Sequence, residues 1–129
     1  MILAIKTDSP IAELYLFDDQ GQEVAQDIWE AGRSLAKDLL RHIDTLIGTN
    51  GSWLSLSGLV VFRGPGSFTG LRIGITTANT ISYANQLPIV GECGDAWAIS
   101  GCQRLMRGEN DQIVLPEYGS APHITAPKK

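Results

Sequence analysis

Cysteine and long apolar runs are both scarce in this sequence of 129 residues. Its two cysteines, Cys93 and Cys102, are too few for a disulfide framework, so we expect free thiols. No apolar run approaches the ~20 residues that a membrane-spanning helix needs, and Lys6 interrupts the apolar start after Ile5. We therefore expect a cytoplasmic protein that has neither a secretory signal nor a membrane anchor.

Positive charge is also in short supply. Ten Lys and Arg residues against 14 Asp and Glu residues give a net charge of −4. Broad electrostatic binding to a nucleic acid needs many phosphate-neutralising cations, so we do not expect it here. The hydrophobic content of 43% and the charged content of 19% are ordinary for a folded chain, and the length suits one domain.

Candidate catalytic and metal-binding residues are few. Histidine occurs only at His42 and His123, neither with a partner at the spacing of metal ligands, and we expect both to face solvent. Cys93 and Cys102 lie nine residues apart, unlike the Cys-x-x-Cys pairs of redox or zinc sites, and we expect both to serve packing. Ser67 lacks the Gly-x-Ser-x-Gly surroundings of a hydrolase nucleophile, so we expect it to cap a helix or shape the backbone. No metal ligand and no catalytic residue is predicted.

Apolar periodicity predicts five strands and two or three helices. Three strands near the start are separated by short polar turns, which indicates an antiparallel meander. They cover residues 2–5, 11–17 and 23–29. Residues 59–62 and 89–90 are continuous apolar runs, typical of strands buried on both faces, whereas helical periodicity covers 33–47, 69–85 and, more weakly, 95–106. This order predicts an α/β domain with a mixed sheet, antiparallel at one edge and parallel where helical crossovers return.

The helical signal stops at Gly108. Three of the six prolines fall in the last 14 residues, where they disfavour both helix and sheet. We predict one domain over residues 1–107, followed by an extended tail over residues 108–129. Apolar side chains between Ile113 and Tyr118 are expected to lay this tail over the domain.

The first predicted helix carries an apolar stripe and a basic stripe. The side chains at helical spacing that predict its buried face are Leu35, Leu39, Leu40, Ile43, Leu46 and Ile47. Arg33, Lys37 and Arg41 follow one another at four-residue spacing on another face. Such a charge stripe is most often a solvated surface, and the alternative is contact with an acidic partner or with a tRNA backbone.

A glycine-rich turn joins the fourth predicted strand to the second predicted helix. It reads Arg63-Gly64-Pro65-Gly66-Ser67-Phe68-Thr69-Gly70-Leu71-Arg72-Ile73-Gly74. Glycines let backbone N–H groups converge and a helix N-terminus adds partial positive charge, so the turn is a candidate anion site, capped by Ser67 or Thr69. A Walker phosphate loop is excluded because no lysine lies between Arg63 and Gln86. The spacing G-x-G-x-x-x-G is also one residue too long for the dinucleotide fingerprint.

The same segment resembles the fingerprint of the bacterial TsaB/YeaZ family, formerly grouped with the glycoproteases. Further similarity lies in residues 2–5 and in two short segments, Leu39-Leu40 with Ile43-Asp44 and Leu87-Pro88-Ile89-Val90-Gly91. The resemblance implies a single actin-like or ribonuclease-H-like domain, in agreement with the order of elements. It also implies a non-catalytic scaffold and activating subunit of the complex that makes threonylcarbamoyladenosine in tRNA.

The resemblance further implies the partners and the residues that contact them. The expected partner is a TsaD-type transferase subunit, with a TsaE-type ATPase as third component, a homodimer as the alternative assembly, and tRNA contacted only indirectly or within the complex. No cofactor of its own is implied, although ATP at the interface with the partner is compatible with it. The predicted partner-binding residues are Arg33, Lys37 and Leu40 on the first helix and Phe68, Arg72 and Gly74 on the second. The candidate anion-binding turn comprises Gly64, Pro65, Gly66, Ser67, Thr69 and Gly70.

Three departures from the family restrict these implications. Lys6 stands where the actin-like fold usually has a metal-holding aspartate, and a lysine cannot ligate Mg²⁺. Residues 92–98 lack the His-x-x-x-His of the related TsaD subunit, and the chain is too short for the second domain of its relatives. The rival interpretation is a nucleotide-binding enzyme of the actin-like ATPase class, a phosphotransferase or hydrolase that uses the glycine-rich turn.

Overall fold

A five-stranded mixed sheet and three α-helices make up the part of the chain that the structure, a computed structural model, describes. That part is residues 1–66 and 68–117, without the side chain of Phe68. The strands are β1 (Ile2–Lys6), β2 (Ile11–Phe17), β3 (Glu23–Glu30), β4 (Gly58–Phe62) and β5 (Ile89–Glu92). The helices are α1 (Leu35–Asn50), α2 (Phe68–Asn85) and α3 (Trp97–Met106).

The sheet has the order β3-β2-β1-β4-β5, which places β1 at its centre. Strands β1, β2 and β3 pair antiparallel as a meander, whereas β4 pairs parallel with both β1 and β5. All five residues of β4 are buried, which explains their uninterrupted apolar sequence. The predicted mixed sheet, with its antiparallel edge and parallel half, is therefore confirmed.

Helices cover the two faces of the sheet unequally. Side chains alternate along each strand, so Leu3 and Leu59 point to one face, while Ala4 and Val60 point to the other. Helices α1 and α2 lie on the first, which we call the two-helix face. Helix α3 lies on the second, the one-helix face, where Trp97 packs edge-on against Phe62 with ring centroids 5.9 Å apart.

Helix α1 is held by the apolar stripe that its sequence predicts. Five of its side chains are buried, namely Leu35, Leu39, Ile43, Leu46 and Ile47. Burial of each such side chain contributes about 1.5–3 kcal/mol before the entropy of ordering is subtracted. Leu40 is the exception: it is 55% exposed, so its assignment to the buried stripe was wrong.

The cysteines differ in their surroundings. Cys102 is buried against the sheet, and this burial raises the pKa of its thiol to about 11. Cys93 is exposed and accepts a long hydrogen bond from the Arg63 guanidinium at 3.8 Å. The packing role predicted for Cys102 is confirmed, and the one predicted for Cys93 is wrong.

The segment from residue 109 to residue 117 crosses the ends of β5 and β4, and we call it the strap. Gly91 donates its N–H to Asp111 at 2.9 Å, and Asn79 of α2 makes two hydrogen bonds of 3.0 Å to the backbone N–H and C=O of Val114. The Val114 side chain is buried where a Cβ on Gly91 would otherwise lie. Val114 therefore lies over the domain as predicted, whereas Ile113 and Leu115 are exposed, and Tyr118 is outside the described residues.

Arg104 anchors the strap through several carboxylates. Its guanidinium donates to Glu92, Glu109 and Asp111. Hydrogen bonds from Arg104 and Arg107 hold the pKa of Glu109 below its usual value. Desolvation works to raise the pKa of Asp111, but the Arg104 guanidinium and the Gly91 N–H together lower it.

We expect the strap to loosen before the sheet as the pH falls below about 4. Lowered folded-state pKa values mean that these carboxylates stabilise the fold fully above the pKa of a free carboxyl, and that this stabilisation is lost as protons bind at lower pH. Hydrogen exchange should show loss of protection at the Val114 amide while the amides of β4 remain protected. In the control variant Asp111→Asn, Val114 should be less protected at neutral pH and should change less on acidification. Simultaneous loss of protection at Val114 and in β4 would contradict this expectation.

No helix in residues 1–66 and 68–117 has both the length and the apolar character needed to cross a membrane.

Candidate functional site

The glycine-rich turn leaves β4 at Arg63 and enters α2 at Phe68. The Arg63 N–H donates to the Glu92 carbonyl at 2.9 Å, which continues the parallel pairing of β4 with β5. Gly64 has a φ of +117°, a backbone conformation that favours glycine. Ser67, a predicted cap, lies outside the described residues, and Thr69 is exposed in the first turn of α2.

The segment that follows β1 fills the inside of this turn. A Cβ placed on Gly66 would overlap the Cβ of Asp8, and one placed on Gly74 would overlap the Thr7 hydroxyl. The same Thr7 hydroxyl donates to the Gly70 carbonyl at 2.8 Å. Gly66 and Gly74 therefore let the turn and α2 approach residues 7–8 closely, and Gly70 supplies the carbonyl that Thr7 binds. The glycines serve contact between two parts of the chain.

Asp8 brings a negative charge next to Gly66 of the turn. Its carboxylate accepts a hydrogen bond from Lys6 Nζ at 2.6 Å, and the ammonium also lies 3.8 Å from Glu13. Tyr15 donates its hydroxyl to the second oxygen of Glu13 at 2.6 Å. Burial, followed by the Glu13 hydrogen bond and charge, raises the pKa of Tyr15, so it stays a proton donor. These charges therefore satisfy one another within the chain.

The strap closes the turn from the opposite side. Glu117 donates its N–H to the Arg63 carbonyl at 2.6 Å, and Arg63 Nε donates to the Leu115 carbonyl at 2.9 Å. A Cβ on Gly64 would lie 2.6 Å from the Glu117 carbonyl oxygen. The turn is therefore packed between the strap and residues 7–8. Pro65 is exposed at its tip.

The described part of the chain contains no cluster of potential metal ligands. Residues 1–66 and 68–117 contain no group of three or more His, Cys, Asp or Glu side chains placed to hold an ion. Asp8, the nearest acidic side chain after β1, is engaged by Lys6.

A second candidate surface lies where α1 and α2 run side by side. A cleft of about 340 Å³ separates their N-terminal ends, and its lining includes Arg33, Leu35, Thr69, Gly70 and Ile73. The cleft brings together residues from both predicted sets, because Arg33 was assigned to partner binding and Thr69 with Gly70 to the anion-binding turn. Its walls are mainly apolar, which favours contact with another protein over contact with an anion.

The other predicted partner-binding residues are divided between surface and interior. Lys37 and Leu40 are exposed on α1. Arg72 is exposed on α2, where it borders a cleft with Val114 and Leu115 of the strap. Gly74 is buried against Thr7, so its small size serves packing in the interior of the domain and Gly74 is not part of the surface. Arg41, the third residue of the basic stripe, pairs with Asp38 at 2.8 Å.

His42 does not face solvent, so that prediction was wrong. Its ring stacks on Trp29 with centroids 3.7 Å apart and planes 4° from parallel. Its Nδ1 lies 2.7 Å from an Asp27 carboxylate oxygen. This contact ties α1 to the outer strand β3 and so positions the helix pair. His123 lies outside the described residues.

Sequence reasoning missed Thr7, Asp8 and Ile73 as members of these sites. A signal for the first two was present, because polar residues directly after β1 must meet whatever follows the parallel neighbour β4. Ile73 carried no comparable signal, since its place in the cleft depends on how α1 and α2 pack.

Comparison with known proteins gives consistent relatives. The family model described as "TsaD: tRNA N6-adenosine threonylcarbamoyltransferase" matches residues 29–104. The protein named "tRNA threonylcarbamoyladenosine biosynthesis protein TsaB" of Escherichia coli (strain K12) is 30% identical over an alignment of 112 residues that covers 81% of this chain and 48% of that protein. Its namesake in Bacillus subtilis (strain 168) is 53% identical over 34 residues, 26% of this chain and 15% of that protein.

A solved structure extends the likeness to the fold. The chain titled "YeaZ from Pseudomonas aeruginosa" matches with a TM-score of 0.65 and 26% identity over 71% of this chain and 43% of that one. This match confirms the predicted α/β fold of the actin-like type. The chain spans less than half the length of either the Escherichia coli relative or the Pseudomonas structure.

Proposed function

Because the chain belongs to the TsaD family, on its TsaB/YeaZ branch, we propose that it is a non-catalytic scaffold and activating subunit in the synthesis of threonylcarbamoyladenosine in tRNA. Its partner is a TsaD-type transferase subunit, and a TsaE-type ATPase is the third component. When the transferase is absent, a homodimer forms through the same surface. We place the assembly in the cytoplasm, where the free thiols Cys93 and Cys102 would persist.

One observation supports the non-catalytic part of this proposal: Asp8 lies against Gly66 of the glycine-rich turn, and its carboxylate pairs with Lys6. Because Asp8 fills the space next to Gly66 and pairs with Lys6, we expect the turn to bind a nucleotide poorly. A nucleotide at the interface with the partner is compatible with the proposal, since it does not require this turn to bind it.

The proposed partner surface is the outer side of the α1–α2 pair. It combines the exposed apolar side chain of Leu40 and the half-buried Ile73 with the cations of Arg33 and Lys37. An apolar centre with a charged rim is the usual composition of a protein interface. The long, parallel course of two adjacent helices suits packing against a matching helix pair in the partner.

The proposal is tested by mixing the purified chain with the TsaD-type subunit of the same organism. Size-exclusion chromatography with light scattering should show a complex of defined stoichiometry, and the chain alone should show no ATP turnover. The double variant Phe68→Ala/Arg72→Ala, suggested by the sequence, should lose the complex. Absence of a complex, combined with ATP hydrolysis by the chain alone, would favour the actin-like ATPase interpretation and overturn this one.

A further inference from the structure

Half of the one-helix face has no helix over it. Five strands about 4.8 Å apart give a sheet about 20 Å wide, and a helix with its side chains is about 10 Å across, so each face has room for two helices. The two-helix face is filled by α1 and α2. On the other face α3 packs over β4 and β5, and its Trp97 reaches Tyr15 of β2. Within the described residues 1–66 and 68–117, this leaves β3 and the start of β2 uncovered.

The uncovered half is apolar where a covering element would rest. Val24 and Ile28 of β3 point to this face and are 48% and 47% exposed, with Ile11 of β2 beside them. The flank of α3 that faces this half adds Ile99 and Met106, both exposed and seven residues apart on the same side of the helix. We call these five side chains the open groove.

Contacts show that the α3 flank and the strands enclose one groove. A cleft of about 260 Å³ is lined by Tyr15 and Phe17 of β2 on one side and by Trp97 and Ile99 of α3 on the other. At the far end, a Cβ on Gly21 would lie 3.4 Å from the terminal methyl group of Met106. The groove therefore extends along α3 from its first turn to its last.

Acidic side chains predominate around the open groove. Glu23 and Glu30 of β3 point to the one-helix face, and so does Glu13 of β2, which lies 3.8 Å from Lys6 of β1. Asp27 points to the other face, where it contacts His42. The carboxylate of Asp95 borders the same cleft as Glu23. Arg104 is the only base within α3, and it is held on the opposite flank by Glu92, Glu109 and Asp111. An apolar floor with an acidic rim is complementary to a segment with apolar and basic sides.

We propose that the open groove binds an amphipathic α-helix of another polypeptide, with an apolar side on Val24, Ile28 and Ile99 and Lys or Arg along its edges. We infer a helical partner from the width of the uncovered surface, because one helix fills the space beside α3. We infer Lys or Arg along the edges of that helix because the rim of the groove is acidic. This surface is distinct from the α1–α2 surface, which lies on the other side of the sheet, so the chain can hold two partners at once.

The test uses the full chain and a fluorescein-labelled synthetic peptide of about 18 residues, or five helical turns, with leucines on one side and lysines on the other. Fluorescence anisotropy at physiological ionic strength should show micromolar binding. A matched peptide with glutamate in place of every lysine should not bind measurably. Val24→Ser, Ile28→Ser and Ile99→Ser should each weaken binding about tenfold, since each removes an apolar contact. Leu54→Ser, a matched control at an exposed leucine outside both proposed surfaces, should leave it unchanged.

Several outcomes would overturn the proposal. These are the absence of binding, equal binding of the acidic peptide, or equal weakening by Leu54→Ser and Ile28→Ser. Sedimentation of the chain alone tests a further contradicting outcome, which is self-association. If the chain self-associates and Ile28→Ser abolishes that association, a second copy of the chain covers the groove. Thermal melts of all four variants identify any that fails to fold, and the Ile99→Ser variant on α3 tests the groove independently of the edge strand.

Discussion

Replacement of Gly74 by alanine is expected to lower the free energy of unfolding by about 2 kcal/mol, a value typical of an extra methyl group forced into a packed interior. The new Cβ would overlap the hydroxyl of Thr7, which is fully buried and hydrogen-bonded to the Gly70 carbonyl. Relief requires either that α2 moves away from the sheet or that Thr7 gives up its hydrogen bond. Urea denaturation followed by circular dichroism measures the change.

The chain supplies a matched control for this substitution. Gly48 also lies inside a helix, α1, but a Cβ there would meet no atom within 4 Å. Gly48→Ala should therefore stabilise the protein by about 0.5–1 kcal/mol, because glycine is a poor helix former. The double variant Gly74→Ala/Thr7→Ala should recover part of the loss by removing the obstructing hydroxyl. Equal effects of alanine at positions 48 and 74 would show that the close contact is unimportant.

Substitution of Leu40 by aspartate is expected to weaken binding to the TsaD-type subunit a hundredfold or more, which corresponds to about 2.7 kcal/mol. Leu40 is an apolar side chain exposed at the middle of α1, and a carboxylate there would be buried without a partner in the proposed interface. Isothermal titration calorimetry measures the affinity. Because Leu40 contributes little to the core, the melting temperature of the variant should stay near that of the parent.

Leu54→Asp is the corresponding control. Leu54 is 96% exposed in the short turn between α1 and β4, outside the proposed surface. Both variants introduce the same charge at an exposed leucine, so a general electrostatic effect would appear in both. If Leu54→Asp weakens the complex as much as Leu40→Asp does, the α1–α2 surface is not the interface.

The spacing of apolar residues along the sequence predicted most of the fold, because apolar residues recur at the positions that are buried. The all-buried strand β4 and the buried side of α2 at Leu71, Ile75, Ala78 and Ile81 were visible as apolar spacing. Leu40 was misassigned because it sits at the margin of the apolar stripe, one residue after Leu39, where a helix turns by about 100°. A pattern that tolerates two adjacent leucines cannot tell which of them faces the core.

The candidate sites depended more on contacts between distant segments. The failure of the phosphate-loop motifs could be read from spacing, but the reason for the glycines required Thr7 and Asp8, about 60 residues earlier in the chain. His42 showed the same limit, because its partners Asp27 and Trp29 become neighbours only once α1 packs on β3. Chemistry shared between elements is invisible to any pattern within one element.

The central position of β1 imposes an order on folding. Its pairing with β2 joins neighbouring residues, whereas its pairing with β4 joins Ile2 to Gly58, across 56 residues. The entropy cost of loop closure is larger for the pairing of β1 with β4. The meander can therefore form before the parallel half of the sheet does. The contacts of Gly66, Gly70 and Gly74 with residues 7–8 belong to that later half. The family fingerprint thus fastens the strand pairing of longest sequence separation in the described sheet, a kinetic role in addition to its structural one.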